Sequence, residues 1–402
     1  MRKILVLSFC AILGQGVYAQ QQIPLPDLYK SNGMGVITTG VPFLLINADA
    51  RSAGMGDMGV ATSPDAFSQQ FNAAKYAFSE SQQGFAVSYT PYLASIANDI
   101  SLAQLNYFNK VSDRSAIAAS FRYFGMGDIQ LMDSYNANPV TVSPNELAFD
   151  ISGSLKLSET FSGAVTIRYI SSNLKIPSEN ESGSASSIAA DISGFYQSEI
   201  YQNNGFDGRF KAGFAIQNMG PKIKYTDDVQ SENFLPTNLR LGAGYDFILD
   251  EYNKISAYGE VTKLMVPSNK YPTYVDANGN GERDADEPVN WNTQEYREKG
   301  WLSGMFGSFT DAPGGFSEEM KEFTWALGGE YWYQDSFAFR LGYFHESEMK
   351  GARQYATLGA GFKYNIVNID VSYLFATGAA QNPLENSLRF SLTFNFGNNN
   401  YK

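Results

Sequence analysis

From Gly84 to the end of the chain, apolar and polar residues alternate in segments of about ten. In the last segment Leu388, Phe390, Leu392, Phe394 and Phe396 share one side, and Arg389, Ser391, Thr393 and Asn395 the other. Leu239, Leu241, Ala243, Tyr245 and Phe247 alternate in the same way with Arg240, Gly242, Gly244 and Asp246. Phe161, Val165, Ile167 and Tyr169 do so with Ser162, Thr166 and Arg168. A period of two puts successive side chains on opposite faces of a strand. The pattern predicts fourteen strands, at 84–91, 98–110, 115–125, 145–157, 161–174, 187–199, 208–218, 236–249, 253–265, 322–333, 336–347, 353–364, 367–376 and 386–396. Their connections alternate short and long, with the longest at 266–321.

An even number of strands with short turns at one end and long loops at the other is the arrangement of an outer-membrane barrel. In lipid every backbone group must pair within the protein, so a strand-built spanner closes on itself. The apolar faces end in aromatics such as Tyr123, Tyr169, Tyr245, Tyr331 and Phe396, as residues at a membrane interface do. The expected fold is all-β: a 14-stranded antiparallel transmembrane β-barrel with an N-terminal plug or hatch. Residues 20–83 lack the period and are rich in Gly and Pro. They are expected to form that plug, inside or across the periplasmic mouth, with one short helix near 64–77. The barrel then occupies 84–396. Arg2 and Lys3, the apolar run Ile4–Leu13 and the small residues ending at Ala19 read as a signal peptide over 1–19, so the chain is expected in the outer membrane.

Composition narrows the function. Net charge is −12, which excludes nucleic acid as a partner. Cys10 is the sole cysteine and His345 the sole histidine, and no G-x-S-x-G surrounds a serine. Thiol catalysis, disulfides and Cys-rich zinc sites are excluded, and no enzyme is expected.

Five groups of residues bear on chemistry. Arg122, Arg168, Arg240, Arg340 and Arg389 fall on the polar face with Asp150, Asp191, Asp246, Glu260, Glu330 and Asp370. In a closed barrel they line the lumen, where mixed charges hold a plug rather than keep a channel clear. Gly54-Met55-Gly56-Asp57-Met58-Gly59 matches G-x-G-x-x-G, but a dinucleotide site needs a βαβ unit. Its glycines are therefore read as permitting tight bends. The stretch 276–287 matches the calcium-loop pattern D-x-[DN]-x-[DN]-G-x5-E. Asp276, Asn278, Asn280, Asp284 and Glu287 would give side-chain oxygens to Ca2+, Glu282 a carbonyl, and Gly281 the sharp turn. His345, between Phe344 and Glu346, is read as structural. The loop 266–321 carries Trp291, Trp301, Met305, Phe306, Phe309 and Phe316, and is read as a surface for docking a partner.

The run Ala48-Asp49-Ala50-Arg51-Ser52-Ala53-Gly54-Met55-Gly56-Asp57-Met58-Gly59-Val60-Ala61, followed by Asn72-Ala73-Ala74, resembles the N-terminal signature of the PorV (LptO) family of type IX secretion proteins. The resemblance implies a fold similar to the FadL-type transporters, with fourteen strands and a hatch. It also implies a non-enzymatic shuttle. Such a protein takes the C-terminal signal domain of cargo at the giant translocon barrel and passes the cargo to a sortase-like surface attachment complex, surrounded by membrane lipid and lipopolysaccharide. FadL-like hatches often carry Asn-Pro-Ala where this chain has Asn72-Ala73-Ala74. The alternative is a FadL-like transporter of long-chain fatty acids or other hydrophobic small molecules.

Overall fold

The computed structural model describes residues 22–93, 99–131, 139–174, 183–202, 205–225, 232–278, 280, 282–291, 296, 298–378, 385 and 387–397. The leader 1–19 and Gly281 lie outside the described residues. Fourteen strands form a closed antiparallel barrel. They are β1 Gln83–Pro91, β2 Ile100–Lys110, β3 Ser115–Met126, β4 Asn145–Lys156, β5 Phe161–Asn173, β6 Ser184–Gln197, β7 Asp207–Met219, β8 Asn238–Ile248, β9 Asn253–Leu264, β10 Phe323–Tyr333, β11 Phe337–His345, β12 Gln354–Tyr364, β13 Val367–Ala376 and β14 Leu388–Phe396. Each pairs with its sequence neighbours, and β14 closes on β1 with Phe396 opposite Gln83. Closure removes the edges that lipid would leave unpaired.

The two faces are chemically opposite. Ile117, Ile151, Ile167, Ile188, Leu327, Leu341 and Leu358 project outward and are exposed. Apolar exposure on that scale is abnormal in water and normal against lipid. Aromatics bound the band: Tyr89, Tyr123 and Tyr169 near the long-loop end, and Tyr333, Tyr364 and Phe396 near the short-turn end. By the same barrel rule the long loops mark the outer end. One wall irregularity interrupts the ladder. Between β6 and β7 the register shifts from Ile216 to Met219, and the bulge turns Asn218 inward with φ at 59°.

The segment before β1 crosses the lumen from the outer end to the inner end. Val41, Phe43 and Leu44 pack against Leu102, Phe124, Ala148 and Ile170 in the outer half. Ala66, Phe67, Ala74 and Tyr76 pack against Phe108, Ala118, Ala164 and Phe195 in the inner half. Two expectations are corrected here. The helix near 64–77 is instead two 3-10 stretches, Ser68–Gln70 and Ala73–Phe78, with extended Asn72 between them. The segment also does not stay at the inner mouth, because residues 22–38 stand among the outer loops. Gln22–Pro24 pairs with Thr273–Val275 of the long loop.

Candidate functional site

The plug is fixed by side chains on short turns. Asp49 caps the helix Ala50–Ala53, accepting from the Arg51 and Ser52 amides at 3.0 Å each. This places Arg51 over the wall. Its Nε and Nη2 donate to both oxygens of Glu330 at 2.9 and 2.8 Å, and Nη1 reaches Asp65 at 2.7 Å. Glu330 also accepts from Arg340 Nε at 2.7 Å, and Arg340 reaches Asp370 at 2.7 Å. Plug and wall thus alternate in charge through one carboxylate. Forked guanidinium geometry suits such buried pairs, and each partner satisfies a charge that would otherwise be costly.

The remaining lumen arginines do related work. Arg389 donates to Asp57 at 2.6 Å, and Asp57 also accepts from Tyr355 Oη and Asn47 Nδ2. Glu260 accepts from the Gly59 and Val60 amides at 2.8 and 2.9 Å and from Arg240 at 2.8 Å. Arg122 donates to the Leu44 carbonyl at 2.9 Å. Arg168 is different: it binds Asp150, Asp191 and Asn218, all on the wall. Asn72 donates to the Val60 and Gly194 carbonyls at 2.9 Å each, so its side chain pins plug to wall.

The glycine run acts by close approach. A Cβ added to Gly342 of β11 would stand 2.2 Å from the Gly56 amide nitrogen, and one on Gly359 would stand 3.0 Å from Gly54 Cα. Gly328 faces Met55 in the same way, and Gly213 faces the Val60 carbonyl. Wall and plug glycines meet backbone to backbone. The inward glycines of β7, β10, β11 and β12 were not among the residues singled out from the sequence. Their signal was there, as glycines at inward positions of alternating strands. Below the plug a polar cavity of about 310 Å³ is lined by Asp65, Phe67, Arg209, Lys254, Trp332 and Lys363 among others.

The described residues of the outer loop form strands and helices of their own. Its strand Thr273–Val275 pairs with Val289–Asn290, and the acidic stretch is the hairpin between them. Helices Trp301–Gly307 and Phe316–Glu319 follow. Beneath them lies a buried charge cluster. Lys263 meets Glu319 and Glu322 at 2.7 and 2.6 Å, and Lys350 meets Glu318 and Glu322 at 2.9 Å each. Ser268 Oγ donates to Glu322. Burial works to raise the Glu322 carboxyl, but hydrogen bonds from Lys263 and Ser268 and the two lysine charges outweigh it and hold it below its ordinary value. Burial and the Glu318 carboxylate keep the Tyr29 phenol well above its ordinary range.

The sequence-chosen docking residues divide. Phe306 is 66% exposed and Trp291 is also exposed. Trp301 is half-buried, and Phe309 lies beside Lys263. Met305 is only 4% exposed, so it serves the loop's own core and is withdrawn as a contact. Neighbouring Gly304 lies against Phe234 and Pro267, which turns this side of the helix inward. Leu302 and Met320 are exposed apolar residues not chosen from the sequence.

In the acidic hairpin Glu287 accepts from the Ala277 and Asp284 amides, and Asp284 accepts from Asn278 and Asn280 side chains. The Asn280 amide donates to Asp276 and Asn278 oxygens, and the Glu282 amide to Asn280 Oδ1. The donor set is all oxygen, which suits calcium. Among the described residues no three acidic, His or Cys side chains form a metal-holding group. His345 stacks on Trp325 at 5.0 Å, a packing role.

A family model described as type IX secretion system protein PorV matches residues 29–271. The chain belongs to the PorV family. No curated protein matches the sequence. Among solved structures, the P. putida toluene transporter TodX is similar at 10% identity, covering 88% of this chain and 99% of that chain, with a TM-score of 0.50. The Ralstonia pickettii toluene transporter TbuX aligns at 11% identity over 88% of this chain and 100% of that chain, with a TM-score of 0.46. A Pseudomonas aeruginosa FadL homologue aligns at 12% identity over 88% and 99%, with a TM-score of 0.44. At 10% identity the likeness to TodX shows the barrel fold alone. A PorV-family barrel of this fold is an outer-membrane protein of the type IX secretion class. The PorV match holds the plug and the strands through β9; the outer-loop residues from Trp291 to Phe316 lie beyond it.

Proposed function

We propose that this PorV-family barrel is a non-enzymatic cargo-binding subunit of type IX secretion. It receives the C-terminal signal domain of cargo at the giant translocon barrel and delivers the cargo to the surface attachment complex. The observation that carries the reading is the contrast between a lumen whose outer half the plug fills and a structured outer loop. Phe43, Leu44 and Val41 occupy the apolar outer half of the lumen where a small hydrophobic ligand would need room. Phe306 and Phe316 instead stand exposed on the loop, the latter at 80%. Large exposed rings on an ordered loop favour a protein partner over a transported solute.

The test is purification of the full-length protein from its native membrane. Co-purification of a very large barrel and of secreted proteins is the expected result. Replacing Phe306 and Phe316 together with Ser should weaken cargo capture by about 2 kcal/mol or more, the loss typical of interface anchors. Uptake of a labelled long-chain fatty acid that requires this protein, with secretion unaffected by its loss, would favour the FadL-like transporter instead.

Calcium belongs to the same proposal. Side-chain oxygens of Asp276, Asn278, Asn280, Asp284 and Glu287 with the Glu282 carbonyl would hold it. The ion would supply cross-linking charge that stiffens the hairpin. The protein's own residues already orient the two carboxylates, Glu287 through the Ala277 and Asp284 amides and Asp284 through the Asn278 and Asn280 side chains.

A further inference from the structure

The chain ahead of the plug is fastened to the outer loops along its whole described length. Gln22, Ile23 and Pro24 lie opposite Val275, Tyr274 and Thr273, which makes Gln22–Pro24 the third strand of the outer hairpin sheet. The Leu25 amide donates to the Pro272 carbonyl at 2.8 Å. The helix Pro26–Ser31 then buries Tyr29 completely, with its Oη donating to Glu318 at 3.0 Å and its ring edge-on to Tyr271 at 4.9 Å. Asn269 Nδ2 donates to the Met34 carbonyl at 2.9 Å, and Tyr296 Oη to the Thr38 carbonyl at 3.0 Å. The Gly40 amide donates to the Phe234 carbonyl at 2.9 Å. A Cβ on Gly35 would stand 2.4 Å from the Met349 carbonyl oxygen, so a second outer loop also closes on the segment.

From Val41 the same chain enters the lumen, and it leaves at the inner end, where Lys110 Nζ donates to the Ser79 carbonyl at 2.9 Å. It therefore spans the full height of the barrel. Three-residue strands are weak alone. Here Tyr29 adds a buried ring and a hydrogen bond to a carboxylate that also pairs with Lys350.

We propose that residues 22–40 are an outer strap. Gln22 is displayed at the cell surface, and the strap holds the 266–321 loop shut over the barrel mouth while tying it, through one continuous chain, to the plug. A partner reaching the loop meets a composite surface of loop and strap. This goes beyond the cargo-binding reading and stands whatever the loop docks.

The test uses the full-length protein. An epitope inserted between Gln21 and Gln22 should be read by antibody on intact cells. A second epitope in the Asp250–Tyr252 turn should be read only after permeabilisation. An N-terminal epitope that stays silent on intact cells, while one at Gly314 is read there, overturns the display. Pairing is tested with Ile23→Cys plus Tyr274→Cys, in a protein carrying a protease site in the 250–252 turn. After oxidation and cleavage the two fragments should stay joined on a denaturing gel until reduced. Tyr245→Cys plus Ala257→Cys, register partners across the same cut, is the positive control. If the control joins and the strap pair does not, the strap is not on the loop. Finally, Tyr29→Ala should speed proteolysis at Gly314–Phe316 with the barrel's heat-modifiable mobility unchanged. An unaltered cleavage rate refutes the holding role.

Discussion

The plug and the outer loop use the same bond for opposite ends. Each is held by buried ion pairs: Arg51–Glu330–Arg340 inside, and Lys263–Glu322–Lys350 at the mouth. The plug turns its apolar groups inward as well, so Phe43, Phe71 and Tyr76 are all buried. The loop buries its charges and leaves Leu302, Phe306, Phe316 and Met320 outside. That inverts the usual sorting, in which charges stay wet and rings go in. A region that keeps its own structure with charges below and keeps rings above is built to be touched. A region that uses both for internal contact is built to stay.

If that is right, the plug should be the costlier place to cut. Glu330→Ala removes the carboxylate shared by Arg51 and Arg340, so three buried guanidinium N–H donors lose their acceptor while each arginine keeps one carboxylate, Asp65 or Asp370. An unsatisfied buried donor costs about 1–3 kcal/mol, so with three of them the variant should unfold at clearly lower denaturant than the parent. The removal of Glu322 should cost less, because Lys350 and Lys263 keep Glu318 and Glu319 and a flexible ammonium can re-aim where a rigid guanidinium fork cannot. Equal losses would erase the contrast. Gly342→Val sharpens it. Its Cβ would stand 2.2 Å from the Gly56 amide nitrogen, so the plug must shift. Overpacking of this kind costs about 1–3 kcal/mol, and reconstituted protein should conduct more than the parent. Unchanged conductance would mean that the plug does not rest on that glycine.

How much of this was legible in the sequence follows from the solvent on each side. Lipid outside and a polar lumen inside give a period of two, so the last strand was expected at 386–396 and runs Leu388–Phe396. The sixth was expected from 187 and begins at Ser184, because Ser184-Ala185-Ser186 offers no apolar contrast. The bulge at Gln217–Asn218 was not legible, since Asn218 is chosen by Asp191 and Arg168 on other strands. The five lumen arginines were visible as residues, but nothing local told that Arg168 binds only wall while Arg340 shares Glu330 with the plug. Short plug elements such as Ala73–Phe78 depend on an Asn72 cap and on wall contacts rather than on a period. Ile23 opposite Tyr274 joins distant segments too short to carry any pattern.

Acid should separate the two regions next. Glu322 is held below its ordinary value, so its folded value lies beneath that of the unfolded chain, near 4.3 for a free glutamate. A depressed carboxylate contributes stability that is present above the unfolded value and is lost as pH falls through the folded one. The loop should therefore loosen below about pH 4. A nitroxide at exposed Ser303→Cys should report greater mobility there, and Glu322→Gln should be mobile already at pH 7 with a flatter profile. A label equally mobile at pH 7 and pH 3.5 would show that the cluster does not hold the loop.

The smallest expected effect tests the hairpin at the loop's edge. Glu287 bridges the turn by accepting from Ala277 and Asp284, and the strand leading into that turn carries Gln22–Pro24 on its far side. Calcium held by Asp276, Asn278, Asn280, Glu282, Asp284 and Glu287 would tighten the turn and, through Thr273–Val275, the strand beside it. Extracellular calcium sites commonly bind at about 10⁻⁴–10⁻³ M, so the effect belongs to millimolar calcium. Protease cleavage between Asp276 and Glu287 should slow when calcium is added and quicken on chelation. Glu287→Ala should abolish the response and cleave faster in its absence too, because two backbone amides lose their acceptor. Thermal unfolding of the barrel should not move in either case, since no lumen pair is touched. Cleavage that ignores calcium in the parent, yet quickens in Glu287→Ala, would leave the carboxylate a purely internal brace. The hairpin would then be one more place where this loop is held by its own charges, and the metal would be struck from the proposal.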